Sequence, residues 1–202
     1  MKSYSITAGN GGLWMSALLA EKLNKGISPR QFMDGMTKNK EAFLENYEKF
    51  EWPDAELREF FESLNHRDDL RCLIISADWC GDALRSVPVV FRATEAGGIP
   101  TEVFIIEQHL DLIDQHLTLG GRSIPIVLFT DTGGHLLGKW GPRPKHVQEA
   151  MIAFKQENPD REAPDYQEKL AAVRQEMVKR YGERTEYTPV ILRELQDILS
   201  RV

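Results

Sequence analysis

The stretch that decides the fold runs from residue 72 to residue 83 and reads Cys-Leu-Ile-Ile-Ser-Ala-Asp-Trp-Cys-Gly-Asp-Ala. Its first five residues form a short apolar run, which is typical of a strand buried on both faces. The segment that follows, Gly81 to Ala96, predicts a helix that ends at Gly97-Gly98. Cys80 is therefore placed where a buried strand gives way to a helix.

Beyond this helix, strand and helix patterns alternate along the chain. Two more helices are predicted at Gln108–Leu117 and Pro144–Gln156, and three more strands at Glu102–Ile106, Ile126–Thr130 and His135–Trp140. Turn-forming residues at 131–134 join the last two strands into a hairpin. The order β-α-β-α-β-β-α predicts an α/β fold in which a parallel βαβ unit and an antiparallel hairpin share one mixed four-stranded sheet.

Helical patterns flank this alternating segment on both sides. Upstream, Ser28-Pro29-Arg30-Gln31 is a capping box with proline at the first helical position. Downstream, two amphipathic helices are predicted. We therefore divide the chain into an N-terminal helical extension (1–70), a core (71–157) and a C-terminal helical extension (158–202). The terminal helices either cover the core or form a homodimer contact, and the sequence leaves both open.

Composition describes an ordinary globular chain of 202 residues, with 42% hydrophobic and 28% charged residues. The net charge of −6 disfavours nucleic acid and anionic membranes as partners, because both require a basic face. No apolar run approaches the roughly 20 residues that a membrane helix needs. Leu13 to Ala20 is too short for a convincing signal-peptide core, so we predict a helix that is retained and a cytoplasmic protein.

Cys80 is the first candidate for chemistry. A thiol at a helix N-terminus faces unpaired N–H groups and the positive end of the helix dipole, which favour the reactive thiolate and predict a lowered pKa. Asp78 and Asp82 act in the opposite direction, because nearby negative charge raises the pKa of a thiol. The alternative is an inert, half-buried cysteine.

Three motifs together resemble the thioredoxin-like family. Trp79-Cys80-Gly81 stands at a strand-to-helix junction, Pro88 follows eight residues after the cysteine, and Arg122-Ser123-Ile124-Pro125 directly precedes a strand. The wider segments Asp-Trp-Cys-Gly-Asp and Gly-Gly-Arg-Ser-Ile-Pro are similar to those of a bacterial branch of the family. The resemblance implies a thioredoxin-like fold with added terminal helices, and a cis bond at Pro125 opposite the cysteine.

For the site, the resemblance implies that Cys80 is the catalytic nucleophile. It also implies a substrate-binding groove lined by Trp79, Asp82, Arg122, Ile124 and Pro125.

For two of these residues, Arg122 and Trp79, the sequence leaves a second role open. Arg122 either stabilises the thiolate or grips a substrate carboxylate, or it forms an ion pair with an acid such as Asp82 or Asp114. Trp79 either walls the site or packs on a neighbouring helix.

The departures from the family pattern limit the chemistry. The resolving cysteine of the family is replaced by Ala83, and the buried acid six residues before the first cysteine is replaced by Ile74. Cys72 cannot substitute, because eight residues of extended chain span roughly 25 Å and a disulfide needs Cα atoms within about 7 Å. A mixed disulfide on Cys80 would therefore need an external thiol for its release.

Three functions follow as hypotheses. The first is a monothiol redox protein that exchanges with protein or low-molecular-weight thiols and disulfides. The second is a non-catalytic binding module, and the third is a sensor in which Cys80 is oxidised. We predict no cofactor and no metal, since the five histidines form no ligand motif. Whether the protein is an enzyme stays open.

Overall fold

A four-stranded sheet forms the centre of the computed structural model, which describes residues 18–183 and 185–202. Its strands are β1 (Arg71–Ser76), β2 (Thr101–Ile105), β3 (Ile126–Thr130) and β4 (Leu136–Trp140). Their order across the sheet is β2-β1-β3-β4, in which β1 runs parallel to β2 and antiparallel to β3, and β4 closes the hairpin. The predicted mixed sheet is confirmed.

The apolar run that predicted β1 occupies an inner position of the sheet. Ile74 pairs with Val103 of β2 on one side and with Val127 of β3 on the other. Both faces of the strand are covered, since every residue from Cys72 to Ser76 is fully buried. This explains why β1 is continuously apolar rather than alternating.

Helices surround the sheet. Their bounds are α1 (Pro29–Gly35), α2 (Lys40–Glu48), α3 (Ala55–Ser63), α4 (Gly81–Ala96), α5 (Leu110–Ile113), α6 (Lys145–Glu157), α7 (Tyr166–Tyr181) and α8 (Tyr187–Leu199), and two short 3-10 turns occupy Leu64–His66 and Ile106–Gln108. Helix α4 has the predicted bounds, and the predicted capping box starts α1.

The described parts of both extensions pack on the core. Phe32 of α1, Phe43 of α2 and Phe91 of α4 pack edge to face against one another, with ring centroids 5.7–6.3 Å apart. On the C-terminal side, α8 contacts α3, α4 and β4 through a fully buried face that includes Ile191, Leu192 and Leu195. The terminal helices therefore cover the core.

One helix is shorter than predicted. Only Leu110–Ile113 is α-helical within the segment 108–117, because a 3-10 turn precedes it and a tight turn pairs Thr118 with Gly121 after it. The helical spacing of Leu110, Ile113 and Leu117 predicts that all three face inward. Ile113 is buried, but Leu110 and Leu117 are exposed, so the prediction is wrong for these two.

The first predicted helix was based largely on Leu13, Trp14 and Ala17, which lie outside the described residues; residues 18–22 are helical. Across residues 18–183 and 185–202, no helix combines the length and hydropathy required to cross a membrane.

Candidate functional site

Cys80 is the N-cap residue of α4, at the predicted strand-to-helix junction. Its Sγ lies 3.2 Å from the carbonyl oxygen of Ile124, to which the thiol donates. Only 7% of the residue is exposed. The sulfur is thus beside the segment that the resemblance singled out, but it lies under the surface rather than open to solvent.

The environment of the thiol raises its pKa. Burial is the main cause, because it disfavours the charged thiolate, and the negative charge of Asp82 adds to it. The backbone N–H groups of Ala83 and Asp82 and the charge of Arg143 oppose the rise without cancelling it. The prediction of a lowered pKa is therefore wrong: the helix N-terminus acts as expected, but the loss of solvation is larger.

The segment facing the sulfur contributes its backbone. The peptide bond between Ile124 and Pro125 is cis, as the resemblance implied. Both side chains are buried, and the hydrogen bond of the thiol is to the backbone carbonyl of Ile124.

Arg122 lies on the surface and forms an ion pair. Its Nε and Nη2 atoms donate to the two carboxylate oxygens of Asp114 at 2.6 and 2.8 Å. Of the two roles considered for Arg122, the structure shows the ion pair.

Asp82 is engaged on both carboxylate oxygens. Oδ2 accepts from Nη2 of Arg143 at 2.6 Å and from its Nε at 3.1 Å, and Oδ1 accepts from the hydroxyl of Tyr181 at 2.7 Å. Only 17% of the Asp82 side chain and 10% of the Arg143 side chain are exposed. Asp82 thereby joins the start of α4 to the loop after β4 and to the end of α7.

Arg143 and Tyr181 were not identified from the sequence. They are 61 and 99 residues away from Asp82, and no local pattern marks either one.

On the other side of the cysteine, Asp78 holds the N-terminal extension. Its Oδ2 accepts from the backbone N–H and hydroxyl of Thr37 at 2.8 and 3.0 Å and from the N–H of Lys38 at 2.9 Å. Burial opposes the ionised form, but these donors lower the pKa of Asp78. The Asn39 amide completes the contact by donating to the Asp78 carbonyl at 2.8 Å.

Trp79 lies at the surface directly before the cysteine. The residue is 48% exposed, and its Nε1 donates to Glu107 at 2.7 Å. The side chain can act as a flat apolar wall for a docked partner.

Buried apolar side chains occupy the two positions at which the family carries a resolving cysteine and a buried acid. Ala83 and Ile74 are almost completely buried. Both cysteines are free, and burial strongly raises the pKa of Cys72, which packs as a small hydrophobic residue in β1. In the part of the chain that the structure describes, no group of His, Cys, Asp and Glu side chains could hold a metal ion.

Comparisons with known proteins agree with this architecture. A family model described as thioredoxin matches residues 26–158. No curated protein matches the chain. A 1.5 Å crystal structure of a protein of unknown function from Pseudomonas aeruginosa is 21% identical, with a TM-score of 0.63 over 90% of this chain and 96% of that one. A crystal structure of an HIV epitope-scaffold is 18% identical, with a TM-score of 0.61 over 92% and 98%. At these identities the likeness shows the fold alone.

Proposed function

Since the chain belongs to the thioredoxin family, we propose that it is a monothiol redox protein that uses Cys80 for thiol-disulfide exchange. The observation that carries the proposal is the 3.2 Å contact between Sγ and the Ile124 carbonyl, at the N-cap of α4 and next to Pro125. In this proposal an extended substrate docks along the backbone of the same segment.

The reaction needs only thiols and disulfides. The Cys80 thiolate attacks one sulfur of a substrate disulfide, forms a mixed disulfide and releases the other half as a thiolate, which takes up the proton lost by Cys80. An external thiol then attacks the mixed disulfide, frees Cys80 and forms a new disulfide with the first half of the substrate. Because position 83 is alanine, no second cysteine of the active-site motif can perform this last step.

The raised pKa of Cys80 determines how the exchange rate depends on pH. At neutral pH most of the protein holds Cys80 as the thiol, so the rate should rise about tenfold per pH unit below the pKa. A thiolate of higher pKa is also intrinsically more nucleophilic, which partly offsets its lower abundance. The proposal is therefore a slow, selective exchange rather than a broadly reactive thiol.

The test is formation of a mixed disulfide on Cys80. The folded protein is incubated at pH 8 with bis(2-hydroxyethyl) disulfide, and intact and peptide masses locate the adduct. We expect an adduct on Cys80 that an added thiol removes, its loss in Cys80→Ser, and no change in Cys72→Ala. An adduct that forms only after denaturation, on both cysteines alike, would overturn the proposal.

Restoring the second thiol tests the geometry of the same site. Ala83 lies one turn into α4 beside Cys80, so Ala83→Cys should clear the adduct without an external thiol, leaving an internal disulfide and a mass lower by two hydrogens. If Cys80 forms the adduct but Ala83→Cys never resolves it, the site does not have the geometry of a dithiol enzyme.

A second candidate function is a non-catalytic binding module. It is favoured by the burial of the thiol and by the exposed side chain of Trp79 directly before it; Leu110, Leu117 and Leu119 are also large hydrophobic side chains at the surface. Such a surface suits a protein partner. This function predicts that Cys80→Ser binds the partner unchanged, whereas Trp79→Ala weakens binding. Burial argues against the third hypothesis, since a redox-sensor thiol is solvent-accessible.

A further inference from the structure

A cleft of about 570 Å³ opens at the start of α4. Gly81 and Asp82, which follow Cys80 in the sequence, and Ser123, which precedes Ile124, are among the residues that line it. The other lining residues come from α4, α6 and α7, from the connecting segments at 118–119 and 161–162, and from Arg143 in the loop after β4. Its volume lies within the range of small-molecule sites, about 300–1,000 Å³.

The charge of the cleft is opposite to that of the chain. It is lined by two acidic side chains, Asp82 and Glu162, and by five basic ones, Arg85, Arg143, Lys155, Arg161 and Arg174. The lining therefore has an excess of three positive charges, whereas the whole chain has a net charge of −6. A concave surface of one sign concentrates small ions of the other sign.

Three of the basic side chains are already engaged within the protein. Arg143 pairs with Asp82, Arg85 donates to the Gly81 carbonyl, and Lys155 donates to the Leu119 carbonyl.

Arg161 and Arg174 differ from these three. Within residues 18–183 and 185–202, neither guanidinium forms an ion pair or a hydrogen bond, and both side chains are exposed. Each can therefore bind an anionic group through two parallel N–H donors without breaking an existing contact.

Apolar side chains complete the lining. Leu119, Met151, Leu170, Met177 and Val178 border the same cleft. A ligand that fits must accordingly combine an anionic group with a short apolar or thioether-like portion.

We propose that this cleft makes Cys80 selective for small disulfides that carry an anionic group. This inference rests on the proposed function. The anion binds Arg161 and Arg174, and the apolar part of the ligand lies along the cleft with its sulfur at the Cys80 end. The bonds made and broken are those of the exchange described above, and the cleft adds selectivity for negative charge.

The test compares three disulfides of similar length: the dianion of 3,3′-dithiodipropionic acid, neutral bis(2-hydroxyethyl) disulfide and dicationic cystamine. We expect Cys80 to react about tenfold faster with the dianion than with the dication at low ionic strength, with the difference shrinking above about 0.5 M salt. The double variant Arg161→Gln/Arg174→Gln should remove this preference. The matched control Lys25→Gln/Arg201→Gln, which loses the same charge at two exposed positions that do not line the cleft, should keep it.

A binding measurement separates this inference from the exchange chemistry. Calorimetry on Cys80→Ser should show binding of 3,3′-dithiodipropionate that the Arg161→Gln/Arg174→Gln changes abolish. Equal exchange rates for all three disulfides would overturn the cleft inference while leaving the proposed function standing. If no disulfide reacts but charge-selective binding persists, the proposed function fails and the cleft is still an anion site. If neither reaction nor charge-selective binding is found, both fail.

Discussion

Asp78 and Asp82 stand two residues before and two residues after Cys80, yet the two sides of the thiol are held in different ways. On the Asp78 side, a partly exposed carboxylate accepts hydrogen bonds from Thr37 and Lys38 of the N-terminal extension. On the Asp82 side, a largely buried carboxylate pairs with Arg143 and with the hydroxyl of Tyr181 in the C-terminal extension. The same residue type thus serves as a cap for backbone donors on one side and as one half of a buried ion pair on the other.

The two sides therefore differ in how their charges affect the pKa of Cys80. The charges of Asp82 and Arg143 act on the pKa of Cys80 in opposite directions, whereas Asp78 is not among the groups that shift it, and its carboxylate is stabilised by its own donors. The C-terminal side should therefore control both stability and reactivity, and the N-terminal side stability alone.

The largest effect should come from Asp82→Ala. The change leaves the buried guanidinium of Arg143 without its counter-charge and the Tyr181 hydroxyl without its acceptor, so the free energy of unfolding should fall by about 3 kcal/mol. Urea denaturation followed by circular dichroism measures it. Asp165→Ala, which breaks an exposed pair with Lys169, is the matched control and should leave the free energy of unfolding almost unchanged. Equal losses in the two variants would remove the distinction between the sides.

The pH dependence of stability also depends on His116, a buried base that belongs to neither side of the thiol. His116 is 3% exposed, its Nε2 has no hydrogen-bond partner in the described part of the chain, and burial, with a smaller effect of Lys139, lowers its pKa to about 4. Between its ordinary pKa of about 6.5 and that value, the unfolded chain binds a proton that the folded protein does not. Stability should therefore fall as the pH drops through this window, by up to about 3 kcal/mol at pH 4.

In His116→Gln the slope between pH 6.5 and 4 should flatten, as measured by urea denaturation at a series of pH values. The loss that remains at lower pH would then report the carboxylates. Asp78 has a lowered pKa, so its stabilisation is present above the ordinary value and disappears as the pH falls through the folded one. An unchanged slope in His116→Gln would contradict this assignment.

Thiol reactivity should separate the two sides more directly. Arg143→Gln removes a charge that lowers the pKa of Cys80 and leaves Asp82 unpaired, so alkylation of Cys80 at pH 7 should slow by about three- to tenfold. Rates come from iodoacetamide labelling followed by mass spectrometry. Arg122→Gln is the control, because Arg122 is paired with Asp114, and its rate should stay near that of the unaltered protein. If Cys80 were alkylated more slowly in Arg122→Gln than in Arg143→Gln, Arg122 rather than Arg143 would be the residue that lowers the pKa of the thiol.

The smallest effect should come from Asp78→Asn. An amide can replace the carboxylate as an acceptor but without its charge, so we expect a loss of about 1 kcal/mol. Hydrogen exchange of the Thr37 and Lys38 amides should become faster, while the alkylation rate of Cys80 stays unchanged. A change in that rate would mean that the N-terminal side also tunes the thiol.

Much of the fold could be predicted because its signals are local. The apolar run at 72–76, the capping box at Ser28 and the turn chemistry at 131–134 each act within a few residues, and the structure contains the elements that they predict. The segment 108–117 misled the prediction, since helical spacing of Leu110, Ile113 and Leu117 does not reveal where a turn interrupts the helix.

The sequence by itself determined the order of the elements, the position of Cys80 at the start of α4 and the absence of a cysteine at position 83. Tertiary structure alone decided that the thiol is buried, that Asp82 pairs with Arg143 and Tyr181, and that basic side chains from α4, α6 and α7 share one cleft. The physical reason is distance along the chain: hydrogen bonding and periodicity act over a few residues, whereas desolvation and charge pairing depend on groups that only folding brings together.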